Sequence, residues 1–323
     1  MTGLLLALAL GALPQGRAVY RMELSGQAVG LVTLEVRCPG AACRVHWLSR
    51  QRLPAEAGGG VQERRVALEV DAEGRALGPA RRVEGGVEEE VRLPAGAVPA
   101  LLLEPLLAGR LRESPEACLD AVDEWSGAAV RACGRSEGGR LRVDLGTELE
   151  WVEQGADGFA DEVVLPAQRS RFLRDPLAQV PVTPPRLFDV EVAGPARPEQ
   201  GASFCGVRRD APPPAQAGGL PAPEAAGANC REQAAAWLAR ARAEGWRGRT
   251  AVGVAWSGAA WSWHAWAEVR VGEGWVAVDP AFHQAPARSP RFTLATWEEG
   301  DEPARAEAGR KILGCWGRAR VTP

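Results

Sequence analysis

The sequence predicts an α+β protein, in which an antiparallel β-rich domain precedes a C-terminal domain of one amphipathic helix and several strands. Three observations carry that expectation. From Val19 to about Val190, short segments with alternating or β-branched residues recur between Gly, Pro and charged turns. Residues 191–227 are rich in Pro, Ala and Gly, the composition of a linker or of a loop draped over a surface. At Asn229 a helical period starts abruptly, and strand-like runs follow it up to Asp279 and Pro280.

The 323 residues suffice for two domains that each bury a core. A net charge of -3 excludes a globally basic, phosphate-seeking chain, so nucleic acid is not an expected partner. With 46% hydrophobic and 24% charged residues the chain is globular in composition. No apolar run approaches the ~20 residues of a membrane span. Lys311, Ile312, Asn229 and Tyr20 are each the single residue of their type. Residues with AT-rich codons are thus almost absent, which points to a GC-rich, bacterial genome.

The N-terminus carries a short apolar block, Gly3 to Leu13, followed by small residues at Gly16 and Ala18. Residues 1–18 therefore read as a signal peptide cleaved after Ala18, and the mature chain as secreted or periplasmic. An oxidising compartment favours disulfides, and seven cysteines leave one thiol over after three bridges. Sequence alone does not choose among the pairings. Short spacing favours Cys38 with Cys43 across a Pro-Gly turn and Cys118 with Cys133 across a hairpin. Cys205 and Cys315 would then join the ends of the C-terminal domain, and Cys230 would be free. A zinc site at Cys38, Cys43 and His46 is the lesser reading, because only three ligands are present and no matching CxxC follows. No metal or cofactor is expected.

Within residues 19–190 the expected strands include Leu31–Arg37, Arg44–Leu48, Arg65–Val70, Glu88–Leu93, Ala128–Ala132, Arg140–Leu145 and Glu148–Val152. Ala100–Leu111 reads as a short helix interrupted at Pro105. This domain, a sandwich or an open barrel, shows no constellation of chemical groups.

Residues 228–323 do. Asn229 and Glu232 form a capping box, with Asn accepting from the backbone three residues on and Glu232 reaching back to the Asn229 amide. Ala234, Trp237, Leu238 and Ala241 follow at amphipathic spacing, and Gly245 is the stop. Cys230 thereby opens a helix, where unpaired N–H groups and the macrodipole stabilise a thiolate. A structural cysteine is the plainer reading of that position alone. Next, Thr250–Trp256 and Trp261–Val271 read as strands, and Trp275 to Asp279 returns after Gly272-Glu273-Gly274. Trp263, Ala265, Ala267, Val269 and Val271 share the core face; His264, Trp266, Glu268 and Arg270 share the other. A four-residue loop sets Asp279 opposite Trp266, with His264 on the diagonal at roughly 7–8 Å between backbones. A two-residue loop is expected to move them apart. Thiol, imidazole and carboxylate in this order are the groups of nucleophilic catalysis, the histidine taking the thiol proton and the aspartate holding its tautomer.

These residues resemble a transglutaminase-like domain over roughly residues 227–285: Cys230 at a helix start, Gly245-Trp-Arg-Gly-Arg249, His264-Ala-Trp-Ala-Glu-Val269 and Gly274-Trp-Val-Ala-Val-Asp-Pro280. The resemblance implies a papain-like core with the cysteine helix packed on an antiparallel sheet. It also implies Cys230 as nucleophile, His264 as general base then acid, and Asp279 as orienter. Two departures stand out. Gly245 to Arg249 replaces a Gly-Ile-Pro-Ala-Arg pattern, and the Pro-rich stretch replaces the helix expected before the cysteine. The Cys230 N–H is one oxyanion donor to expect; Gln200 and Gln216 are the weak options for a second. His283 is a rival base outside the motif. Trp256, Trp261, Trp263 and Trp266 read mainly as packing, with an aromatic wall for an acyl substrate as the functional alternative. Arg291–Trp297 and a helix Glu302–Leu313 read as C-terminal packing elements.

The expected activity is attack on an amide of a protein or peptide through a Cys230 acyl-enzyme. Hydrolysis or deamidation is favoured over cross-linking by family analogy. The alternative is an inactive envelope module that keeps the fold.

Overall fold

A computed structural model describes residues 13–54, 60–146, 148–166, 169–186, 191–195, 201–212, 219–316 and 320–322. The expected leader lies mostly in residues 1–12, outside the described residues. Its last part is described: Gly16–Ala18 begin the first strand and Ala18 is buried, so a cut after Ala18 removes three strand residues. The backbone contacts divide the chain into two compact units, Met1–Arg52 with Val61–Pro185, and Leu53–Gly60 with Arg186–Pro323.

The first unit is a thirteen-stranded sheet made of two meanders. One runs β1 (Gly16–Leu24), β2 (Gln27–Arg37), β3 (Ala42–Arg52), β4 (Val61–Asp71), β5 (Ala80–Glu84) and β6 (Val87–Val91). The other runs from β7 (Val98–Pro99) through β8 (Glu116–Val122), β9 (Ala129–Glu137), β10 (Arg140–Asp144), β11 (Leu149–Gln154) and β12 (Ala160–Leu165) to β13 (Ser170–Arg174). Antiparallel pairing of β1 with β13 joins them. Period-two alternation drives the burial: in β4, Val66, Leu68 and Val70 are buried while Arg65 and Glu69 are exposed. The expected strands are all present, most of them longer than the apolar pattern indicated.

Between β7 and β8 lies the helix α1 (Leu103–Arg110), entered by a 3-10 turn, Ala100–Leu102. Pro105 does not interrupt it. It stands third in the helix, where its missing N–H would have had no partner four residues back. Leu102, Leu103 and Leu107 share one core with Val36, Val45, Val66 and Val143, so the sheet curls around the helix. Strands distant in the order meet at Trp125. Trp47 of β3 packs edge-on against it at 5.7 Å, and the Arg64 guanidinium of β4 lies over it at 5.6 Å. Disulfides Cys38–Cys43 and Cys118–Cys133 clamp the β2–β3 turn and the β8–β9 pair. Both cysteines of the lesser zinc reading are thus bonded to each other.

In the second unit the Pro/Ala/Gly-rich stretch is more than a linker. It supplies β14 (Glu191–Val192), β15 (Ser203–Phe204) and β16 (Val207–Arg208). α2 (Cys230–Ala243) follows, then β17 (Gly248–Trp256), β18 (Trp261–Val271), β19 (Gly274–Val278), β20 (Arg291–Trp297), α3 (Glu302–Trp316) and β21 (Val321–Thr322). The main sheet has the order β14-β18-β17-β20, with β19 also on β18. α2 packs on it through Trp237, Leu238 and Ala241 against Ala267, Val269 and Val278. The stretch before α2 is fastened to it, with Trp237 Nε1 donating to the Ala222 carbonyl at 2.8 Å and Arg240 Nη1 to that of Glu224 at 2.7 Å. Cys205–Cys315 joins the β15–β16 turn to α3.

The turn between β18 and β19 has two residues, Gly272 and Glu273, because Val271 pairs with Gly274. The expected separation of His264 and Asp279 does not follow. Adding one pair at the turn leaves the register unchanged, with Ala267 opposite Val278 and Asp279 level with Trp266. Gly253 lies opposite His264, beside a bulge in the β17–β20 pairing. A Cβ there would stand 1.9 Å from the Phe292 carbonyl oxygen, a backbone atom that cannot swing aside. Gly253→Ala is therefore expected to cost about 2–3 kcal/mol, read from the denaturant midpoint of the C-terminal unit.

Candidate active site

Cys230 is the free cysteine among the described residues and is partly exposed. Asn229, in extended conformation, caps the helix, its Oδ1 accepting the Glu232 N–H at 3.0 Å. The return half of the box differs from expectation. Glu232 accepts from the Ala228 N–H at 2.8 Å and from Asn229 Nδ2 at 3.0 Å. The longer reach ties the residue before the cap as well. Helix geometry leaves the Cys230 N–H without an intrahelical partner, available to a developing oxyanion. Gln200 and Gln216, the weak options for a second donor, lie outside the described residues.

His264 is buried on β18 with its Nε2 3.0 Å from both Oδ1 and Oδ2 of Asp279, which is fully buried. On that edge of β18, β14 pairs with Trp261 and Ser262, and β19 with Ala267 to Val271. The turn after β19 serves the stretch between. Asp279 and Gln284 exchange backbone hydrogen bonds at 2.8 and 2.9 Å, and the Phe282 N–H donates to Asp279 Oδ1 at 3.1 Å. Phe282 stacks on the imidazole at 4.3 Å, and Trp266 lies nearly parallel on it at 6.3 Å. Burial pulls the imidazole pKa down, but hydrogen bonds to Asp279 and Cys230, with their charges, more than offset it. The net effect is a rise from 6.5 to about 9. With Nε2 committed to Asp279, Nδ1 is the nitrogen left for the thiol proton.

Two residues here escaped sequence reasoning. Phe282 is one, and Arg291, the first residue of β20, is the other. Its guanidinium is 4% exposed, with Nη1 3.6 Å from Asp279 Oδ2, Nε donating to the Ser289 carbonyl at 3.1 Å, and Trp266 beneath it at 5.1 Å. Among the described residues neither Nη has a hydrogen-bond partner. Burial lowers its pKa against the opposing charges of Asp279, Asp210 and Glu268. No spacing from His264 or Asp279 announces such a residue, because β20 reaches them only across β17.

His283, the rival base, is exposed. The aromatic wall does not form: Trp261, Trp263 and Trp266 are buried, Trp263 against Phe204 at 5.4 Å and Trp261 against Trp256 and Phe292. Packing accounts for them.

The family model of the transglutaminase-like superfamily matches residues 207–280. That span runs from β16 through α2 to the residue after Asp279. Residues 207–280 are a transglutaminase-like superfamily domain. The domain starts some way before the stretch first recognisable by its motifs and takes in the Pro-rich segment that departs from the usual pattern. Members of the superfamily are generally cysteine-dependent enzymes. No curated protein and no solved structure matches the chain. Three disulfides suit an extracellular or periplasmic protein, and no helix among the described residues is long and apolar enough to cross a membrane.

Because the folded His264 pKa lies above its ordinary value, its stabilising contribution is complete below about pH 6.5 and is lost as pH rises through about 9. A shift of that size corresponds to roughly 3 kcal/mol. Denaturant unfolding of the transglutaminase-like domain at pH values from 6 to 10 is expected to show this decline, and His264→Gln to flatten it.

Proposed function

We propose that the protein is an exported thiol enzyme that cleaves or deamidates amides of proteins or peptides, with Cys230, His264 and Asp279 as its catalytic groups and a papain-like arrangement of helix and sheet. The observation that carries this reading is the shared imidazole. Asp279 holds Nε2 at 3.0 Å while the one described free thiol, at a helix N-terminus, acts on the same ring.

The chemistry follows from those positions. Cys230 gives its proton to His264, and the thiolate attacks the amide carbon. The carbonyl oxygen becomes an oxyanion facing the Cys230 N–H. As the C–N bond breaks, His264 passes its proton to the leaving amine and a thioester remains. Water then attacks the thioester, losing a proton to His264, and the carboxylic acid leaves as the thiol is restored. Asp279 stabilises the imidazolium throughout without taking its proton. Water is favoured over an amine as acceptor by family analogy alone. Lys311 is the sole lysine, which disfavours cross-linking between copies of this chain.

Alkylation of Cys230, mapped by mass spectrometry against pH, tests the pairing. Labelling is expected to stay fast well below pH 8 in the wild type, and in His264→Ala to fall back to a thiol titrating near pKa ~8.5. Identical profiles would sink the reading. Against glutamine-containing and peptide amides, Cys230→Ala is expected to lose about a thousandfold or more in kcat. The thioester should be visible by mass in a wild-type reaction quenched in acid.

A further inference from the structure

The inner face of the curled sheet in the first unit holds a cavity of about 260 Å³ that the thiol chemistry does not use. Four aromatic side chains line it: Tyr20 of β1, Trp47 of β3, Phe159 before β12 and Phe172 of β13. Two carboxyl groups enter it as well, Glu104 from the first turn of α1 and Glu150 from β11. Apart from these two, the Tyr20 hydroxyl and the Trp47 indole N–H, the lining side chains are apolar.

The charges around the cavity are unbalanced. Glu104 and Glu150 act on each other, and Glu148 adds to the negative field at Glu150. Glu124, which accepts the Leu101 N–H at 3.3 Å, lies within the field of Glu104. The cation acting on Tyr20 is Arg174 of β13, and its charge is already met by Asp157, which holds it in a fork, and by Asp161 at 3.5 Å. Among the described residues no cation is set against these two carboxyls, and in an apolar hollow such groups either keep a proton or take a cationic partner. An anionic head would add to the imbalance. A cation removes it, and aromatic faces favour the same charge.

We propose that this cavity binds a small amphipathic cation, an apolar body carrying an ammonium head that sits between Glu104 and Glu150. The volume sits at the small end of ligand pockets, which suits a short chain or a single ring. Burial pushes Glu104 up to about 7. Burial, with the charges of Glu104 and Glu148, pushes Glu150 up to about 8. At neutral pH the empty cavity therefore holds protons that the ammonium displaces.

Calorimetric titration of the full-length chain with n-octylammonium below its micellar concentration, beside octanoate and octanol, tests this. One ammonium per chain is expected to bind saturably, with the other two at least about tenfold weaker. Replacing both carboxyls, Glu104→Gln with Glu150→Gln, is expected to cost the ammonium at least about tenfold and to leave octanol unchanged. Comparing two buffers of different ionisation heat at neutral pH reads proton release on the wild-type chain, independently of how the variant folds. Octanoate binding as tightly as octylammonium, no saturable binding, an unaffected double variant that folds, or binding without proton release would each overturn the proposal. Cys230→Ser is expected to bind octylammonium as the wild type does, which keeps the result apart from the thiol chemistry.

Discussion

An imidazole held inside a protein keeps a proton only where an opposite charge meets it at hydrogen-bond distance, because burial alone drives the proton off. His264 meets both oxygens of Asp279, and much of the C-terminal unit serves that contact. The β18–β19 register brings Asp279 level with Trp266, and the turn that follows hydrogen-bonds back to the aspartate while laying Phe282 on the ring. Gly253 lets β20 approach closely opposite His264. Arg291 then supplies a second positive charge to the carboxylate from the strand beyond. Removing the carboxylate would leave two buried cationic groups facing each other's field, which is why the pair and its surroundings act as one structural unit.

The two units solve their stability problems differently. In the first, a long antiparallel meander curls over a short helix, and disulfides fasten neighbouring or paired positions, where geometry already brings the cysteines together. Its inner face keeps a hollow with carboxyls in it, a feature that packing alone would have filled with apolar side chains. In the second, the bridge Cys205–Cys315 joins residues 110 positions apart, and the stretch before α2 is held by side-chain bonds from Trp237 and Arg240 to its carbonyls. Pro-rich backbone without a regular ladder needs such donors, since its carbonyls cannot all find partners in a sheet.

Local signals were the legible ones. Asn229, the single asparagine, announced the helix start, and the structure has it accepting the Glu232 N–H. Alternation announced strands such as β4 and β18, and short spacing the two disulfides of the first unit. The separation of His264 from Asp279 on one face was legible too, because a hairpin's register depends only on the sum of paired positions. The effect expected of a two-residue turn was wrong for the same reason: one extra pair leaves that sum unchanged.

By itself, then, the sequence determined most of the longer strands and where the cysteine helix begins, and it singled out Cys230, His264 and Asp279 as candidates. Each of these depends on neighbours within a few positions or across one tight turn, where chain connectivity restricts the geometry. Only the tertiary structure decided that Arg291 and Phe282 attend the pair, that three tryptophans are buried rather than displayed, and that Glu104 and Glu150 share a hollow. Those contacts join strands and helices far apart along the chain, and no local period records them, because the curling of a sheet is set by how all its side chains pack together.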